Sequence, residues 1–438
     1  MYSNIMKRDA SKILQHTPMK KERNNGRKAS SEALMVPSAD GNLDSRGRRQ
    51  VGRRSFLKGL GIVGATLLPT SALLMTEGRA QDERRERNGR LTKGDADLLR
   101  FAAWAEIVES DLWTQYNELG GATQPNDGPP NTGNPAYILA LQNLDSDMPQ
   151  YITDNNDDEL SHAAFLNAYL KSKGEEQVNL DAFRTLPSSQ AKGAKNIGRL
   201  TNLMNLSVDL SWYTRYRSSE NPDLGATLNG PFTIKNEPAI PLNDTDTPPG
   251  QSQPVPPATP QESRMQAIAN TAGFHFAFIE QGGSSLYPTL ALKASSEEVL
   301  RILLSIGGVE IDHFSLWHDK AGNAVSLPLA GVTDPETGLT FPNLNSPPTE
   351  LTQTNKIQPE PCDFIKDDEA VPGLPHCSVI RPTSTKLAGA VATVNAFIAD
   401  GLFGKIGQPN GQPQSFIDFA MKLAKAADSA KREFEGEF

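Results

Sequence analysis

The sequence predicts an all-α chain built on a four-helix bundle with a long crossover, Pro-rich loops and extra C-terminal helices. Three observations lead there: two copies of Glu-x-x-His, a Glu and a Tyr seven residues apart ahead of each copy, and helical apolar periodicity in the segments that carry them. The copies are Glu159-Leu160-Ser161-His162 and Glu310-Ile311-Asp312-His313. Residues three apart share a helix face, so each copy can send a carboxylate and an imidazole to one point. Two such clamps plus one carboxylate from each of two further helices make the ligand set of a paired-metal site in a bundle.

The first of those further helices is read in RFAAWAEIVESDLWTQYNEL, where Glu109 precedes Tyr116, and the third in AIANTAGFHFAFIEQGGSSLY, where Glu280 precedes Tyr287. Seven residues is close to two turns, so each phenol is expected on the inner face with its Glu, within reach of the carboxylates. The candidate metal ligands are therefore Glu109, Glu159, His162, Glu280, Glu310 and His313, and the candidate catalytic residues are Tyr116 and Tyr287. Glu106, one turn before Glu109, is the alternative first-helix ligand. Glu109 and Glu159 are 50 residues apart and Glu280 and Glu310 are 30, a difference matching the insertion GGATQPNDGPPNTGNP at 120–135. Gly282-Gly283 and Pro288 are expected to weaken or kink the end of the third helix beside the site.

Charge balance points the same way. Four buried carboxylates and two neutral imidazoles are neutralised by two divalent cations, and without them the carboxylates must take up protons or solvent. An oxygen-rich set with one imidazole per ion suits two iron or manganese ions better than zinc.

With these residues in place, DDELSHAAFLNAYLKSKG resembles the second helix of ferritin-like domain proteins and VLRILLSIGGVEIDHFSLWHD resembles their fourth. The similarity runs over roughly residues 92–320 and is nearest to the secreted ferritin-like and desiccation-related group. It implies a ferritin-like bundle of two pseudo-repeated helix pairs, with the Glu and His residues named above at the family's metal-ligand positions.

The N-terminus speaks to compartment. Gly52-Arg53-Arg54-Ser55-Phe56-Leu57-Lys58 closely matches a twin-arginine export signal and precedes the apolar run GLGIVGATLLPTSALLM. That run, with three Gly and a Pro, is marginal for a membrane span. Cleavage after Gly78-Arg79-Ala80 gives a mature chain starting at Gln81 that is periplasmic or secreted, with the twin-arginine translocase as its partner and no stable membrane insertion. Residues 1–50 are charge-rich and read as a disordered extension, with Met35 an alternative start. Residues 1–80 hold 15 Lys/Arg and 6 Asp/Glu, so removing them takes the chain from a net charge of −9 to −18. A chain this acidic is not expected to bind nucleic acid or anionic membrane.

Elsewhere the sequence is less chemical. After the second helix, residues 179–220 read as containing helical stretches, and Pro222–Pro260 as a Pro-rich crossover. Cys362 and Cys377 suit a structural disulfide closing a 14-residue loop, worth roughly 3 kcal/mol. Residues 321–380 read as irregular, with a short hairpin near AVSLPLAGVT. Two helices, in STKLAGAVATVNAFIADGLF and SFIDFAMKLAKAADSAKREFEGEF, are expected to cover the bundle. His275 lies five residues before Glu280, about 140° round the helix, and His318 stands likewise to His313, so both should face away from the metals. Trp104, Trp113, Phe274, Phe276, Phe278 and Trp317 read as core.

The function expected is a di-iron oxidase or ferroxidase, or a manganese-dependent peroxide-detoxifying oxidoreductase, acting on oxygen, peroxide or ferrous iron. The alternative is a non-catalytic desiccation- or stress-related envelope protein. A homo-oligomer is compatible with either.

Overall fold

The fold is described from a computed structural model of the chain, over residues 89–122, 133–210, 233–246, 264–323, 331–342 and 385–433. The export motif, both cysteines, and most of the Pro-rich crossover and of the 321–380 segment lie outside these residues.

Helix α1, Lys93–Gly120, starts at Thr92, whose hydroxyl accepts from Asp95 N at 3.0 Å and so satisfies one of the open N–H groups of the first turn. The Asp95 carboxylate turns instead to another helix: it accepts from Ser295 N and Ser296 N at 2.8 and 3.0 Å. Ser296 in turn caps α5, Glu297–Trp317, through Val299 N. One buried carboxylate thus ties the start of the first helix to the start of the last bundle helix. Short α2, Pro135–Gln142, begins at Asn134 with proline in its first turn, and α3, Met148–Ser172, carries the first Glu-x-x-His.

Helix α4, Arg264–Ala291, is buried at every position but Pro288. A helix apolar or small all round must be enclosed, and α4 packs against α2, α5, the crossover strands and the C-terminal helices. It continues through Gly282, Gly283 and Pro288 to Ala291, so these residues do not end the helix early. The closeness of α5 explains why the helix is retained. A Cβ on Gly307 would stand 2.6 Å from Tyr287 Cβ, so glycine there lets the α5 backbone press onto the C-terminal part of α4. Helix α1 pairs with α3 and α4 with α5, giving the two helix pairs of an all-α bundle.

The crossover differs from its sequence reading. Among the described residues of 179–220, helix is confined to the 3-10 turn Asp181–Phe183, and two strands, β1 (Leu206–Asp209) and β2 (Thr233–Glu237), pair antiparallel. The segment is fastened by side chains that take the place of a helical backbone ladder. Asp111 of α1 accepts from Leu200 N, Thr201 N, Thr201 Oγ1 and Arg184, and Glu118 pairs with buried Arg199. Around 331–342 an isolated antiparallel bridge joins Thr340 to Thr333, the last residue of the segment expected to form a hairpin, whose residues 324–330 are outside the described set.

The C-terminal helices α6 (Thr385–Ala388), α7 (Ala390–Ala399) and α8 (Gln414–Ser429) lie on the α1 and α4 side. Phe397, Phe403 and Phe416 surround Trp104 of α1 with ring centroids 6.1 to 6.4 Å away. No helix among the described residues is long and apolar enough to cross a membrane.

Candidate metal centre

Four bundle helices send carboxylates and imidazoles to one buried point. Glu106, Glu159, His162 and Glu310 form one group, and Glu159, Glu280, Glu310 and His313 a second; within each, one ligand atom per residue lies within 4.8 Å of the others. Glu159 and Glu310 belong to both groups, which makes them the shared carboxylates, while Glu106 and Glu280 serve one group each. His162 Nδ1 is 3.3 Å from Glu106 Oε2 and from Glu159 Oε2 and 3.7 Å from Glu310 Oε1. His313 Nδ1 is 3.2 Å from Glu159 Oε1 and 3.3 Å from Glu280 Oε2. The two oxygens of Glu159 therefore face different imidazoles, Oε2 toward His162 and Oε1 toward His313.

The first-helix residue in this geometric cluster is Glu106, the alternative that the sequence left open beside Glu109. Both face inward, but they stand one helical turn apart, and only Glu106 reaches the imidazole of His162. Glu109 remains buried nearby. The change of residue also decides the tyrosines. Tyr287 lies as expected and donates its phenolic proton to Glu106. Tyr116 is ten residues beyond Glu106, not seven, and its hydroxyl meets His275 Nδ1 at 2.8 Å, away from the carboxylates. The position seven beyond Glu106 is Trp113.

Residues that periodicity did not single out complete the surroundings. Asn155, one turn before Glu159, donates to Glu159 Oε1 at 2.9 Å and Glu280 Oε1 at 3.1 Å, and its own oxygen accepts from Trp317 Nε1 at 2.7 Å. Asp158 Oδ2 lies 3.2 Å from His313 Nε2, so it orients that ring with Nδ1 turned to the centre. The i−4 spacing of Asn155 to Glu159 was the available signal. Gly283 is needed for Glu310: a Cβ there would stand 2.2 Å from Glu310 Oε2. His275 and His318 lie elsewhere, the first against Tyr116 and the second beside the Phe314 ring.

Residues 94–323, more than half of the chain, match the family model described as Ferritin-like domain. The chain belongs to the ferritin-like domain family. No curated protein and no solved structure matches it significantly. The family and the all-α bundle agree, and the matched region spans all four ligand-bearing helices of the ferritin-like centre.

The donor set could hold metal ions. Glu106 Oε2, Glu280 Oε2, both Glu310 oxygens and His313 Nδ1 are buried without a hydrogen-bond partner. Each buried unsatisfied polar atom costs about 1–3 kcal/mol, so a cluster of five calls for a ligand. Electrostatics in the absence of metal tell the same story. Burial, then the charge of Glu159, pushes Glu106 up to about 8. Burial and neighbouring carboxylates hold Glu310 and Glu109 well above the carboxylate range, and burial raises Glu280. Burial raises Glu159 too, but the imidazoles of His162 and His313 beside it outweigh that effect and carry this one carboxyl below its ordinary value. Burial disfavours charge on His162, yet Glu106 and Glu159 lift it to about 10, and Glu280, Asp158 and Glu159 raise His313 likewise. Protons thus stand in for positive charge throughout the centre. Metal ions bound by these carboxylates and imidazoles could take the place of those protons.

Proposed function

We propose that the ferritin-like bundle holds two iron or manganese ions between Glu106, Glu159, His162, Glu280, Glu310 and His313, and that this centre acts on dioxygen, peroxide or ferrous iron. The observation that carries the reading is the convergence of five orphaned polar atoms from these residues in a buried core. Two such cations would supply one-electron exchange with small oxygen species and a fixed pair of binding positions for them. The oxygen-rich set with one imidazole per ion favours iron or manganese.

The chain's own groups have separable tasks in this reading. Glu159 and Glu310 hold the two positions together, and Glu106 and Glu280 each complete one. Tyr287 fixes Glu106 by its hydrogen bond, and Asn155 fixes Glu280 and Glu159. Asp158 holds His313 in the tautomer that presents Nδ1 inward. Apolar walls of Phe276, Trp113 and Trp317 keep bulk water from one side of the centre. The twin-arginine motif at Arg53-Arg54 supports export of the folded, metal-loaded protein to the periplasm or beyond.

Elemental analysis of the mature chain from a host competent in twin-arginine export tests the metal reading. About two iron or manganese ions per chain are expected. Joint replacement Glu159→Gln and Glu310→Gln should abolish binding with helical content kept, since both shared carboxylates go. Unchanged metal content in that variant would reject the ligand assignment. Stopped-flow mixing of the ferrous protein with peroxide or oxygen then tests the chemistry.

A further inference from the structure

A line of aromatic side chains leaves the carboxylate cluster and ends at a buried base that the centre itself does not use. It begins at Trp317, whose indole N–H donates to Asn155, the residue bound to both Glu159 and Glu280. Trp317 stacks on Trp113 with ring centroids 5.5 Å apart and an interplanar angle of 19°. Trp113 lies 5.7 Å from the Tyr116 ring, and Phe276 fills the angle between them, 4.7 to 4.9 Å from all three. The Tyr116 hydroxyl is 2.8 Å from His275 Nδ1, and His275 Nε2 points at Asp400 Oδ2, 3.9 Å away. All of these side chains are shielded from solvent.

The proton partners along this line are unequal. The Trp113 N–H has no acceptor. The Trp317 N–H meets an amide oxygen, which is not a base. Only at Tyr116 does an O–H face a basic nitrogen. An aromatic ring that loses an electron is stabilised when its proton can leave as well, so a positive hole can pass through the indoles but comes to rest on the phenol. His275 Nε2 and Asp400 Oδ2 both lack a hydrogen-bond partner of their own. Such orphans are costly in a core unless they serve a charge that arises there. Burial drives His275 down to about 3 and holds Asp400 well above its usual range, so the pair rests uncharged until a strong acid appears beside it.

We propose that Trp317, Trp113 and Tyr116 form a one-electron relay that draws oxidising equivalents away from the metal centre and deposits them on Tyr116. This rests on the metal reading above. The oxidant would be the bound metal pair once peroxide or dioxygen has carried it above its resting oxidised level. One electron leaves the Tyr116 ring and passes through Trp113 and Trp317 to that pair, which is reduced by one electron. The Tyr116 O–H bond breaks and an N–H bond forms at His275 Nδ1. Tyr116 ends as a neutral phenoxyl radical and His275 as an imidazolium whose Nε2–H faces Asp400. Tyr287 is not the terminus, because its proton partner is Glu106, a metal ligand in this reading.

The test loads the full mature chain with ferrous iron under argon, counts the metal, adds at least two equivalents of hydrogen peroxide per chain, the first to bring the pair to the ferric level and the next to supply the oxidising equivalents, and freeze-quenches for electron paramagnetic resonance and peptide oxidation mapping. Wild type should give a tyrosine-type radical. Tyr116→Phe, which keeps the ring in the core, should take up the same metal, lose that signal and shift oxidation to Trp113 and Trp317. Tyr287→Phe should retain the signal, and Trp113→Phe should slow its appearance. A tyrosine signal that survives Tyr116→Phe, or disappears only in Tyr287→Phe, overturns the relay, as does metal uptake and oxidation with no aromatic radical or oxidised ring. A wild-type chain that takes up no metal instead overturns the metal reading, and the relay with it; the metal count separates the two failures.

Discussion

Replacing Gly283 with alanine should separate the metal centre from the fold. The added Cβ would stand 2.2 Å from Glu310 Oε2 and 3.0 Å from its Cδ. The obstructed atoms are the far end of a flexible side chain, so the carboxylate swings aside and the helices need not part. Removing a glycine from a helix interior stabilises by about 0.5–1 kcal/mol, which offsets much of the local crowding. Metal-free Gly283→Ala is therefore expected to unfold in urea within about 1 kcal/mol of wild type. The metal is affected differently, because Glu310 is shared by both groups. Displacing a group that orients a metal site typically weakens binding by about 10–100-fold, or roughly 1.4–2.7 kcal/mol. Competition with a chromophoric chelator for ferrous or manganous ion reads this directly. Gly308→Ala is the control: nothing lies within 4 Å of a Cβ there, so it should stabilise the helix and leave metal affinity unchanged. Wild-type affinity in Gly283→Ala would refute the role of Glu310, and a loss of several kcal/mol in the metal-free protein would show that the glycine serves packing alone.

Metal-free protein should lose stability as pH rises. Glu106 moves from 4.5 to about 8 and His162 from 6.5 to about 10, so the folded state binds more protons than the unfolded one, and their contribution falls between about pH 4.5 and 10. Urea titrations across that range should show the decline without metal, and calorimetry in buffers of different ionisation enthalpy should show protons released on metal binding at pH 7. Tyr287→Phe removes the donor to Glu106 and should speed metal dissociation about tenfold in chelator-capture experiments, with the fold intact. Asp95→Ala deletes the acceptor for Ser295 N and Ser296 N and should cost about 1.5–3 kcal/mol in urea unfolding; no change would mean that the α5 N-terminus finds other partners.

The helices and the second and fourth ligand pairs were legible because their information is local. Glu159 with His162 and Glu310 with His313 are fixed by three-residue spacing on one face, and no neighbour can alter that. The choice between Glu106 and Glu109 is different in kind. Both lie on the inner stripe of α1, and the depth at which α3 crosses that stripe decides which one meets His162. Placing Tyr116 depended on the same choice and shifted with it. Periodicity cannot reveal the strands β1 and β2 either, since four or five residues of each are defined by a partner more than twenty residues away and by the hold of Asp111 and Glu118 on the chain between them. The glycines and proline late in α4 argue locally for a break, but close packing on Gly307 and the space required by Glu310 keep the helix whole.

The two halves of the bundle repeat their ligands but not the residues around them, and the differences bear on chemistry. Aligning Glu106 with Glu280 sets Glu109 opposite Gly283 and Trp113 opposite Tyr287; aligning Glu159 with Glu310 sets Asn155 opposite Ile306 and Asp158 opposite Val309. The position completed by Glu106 and His162 has a phenol on its carboxylate and a buried acid nearby. The position completed by Glu280 and His313 has an amide on its carboxylate and an aspartate behind its imidazole. An Asp behind a ligating imidazole makes it a stronger donor, whereas a phenol bound to a carboxylate withdraws charge from it. Were metals bound as proposed, the aspartate behind His313 would make it the stronger imidazole donor of the two, and the aromatic line would meet the centre at this second position through Trp317 and Asn155.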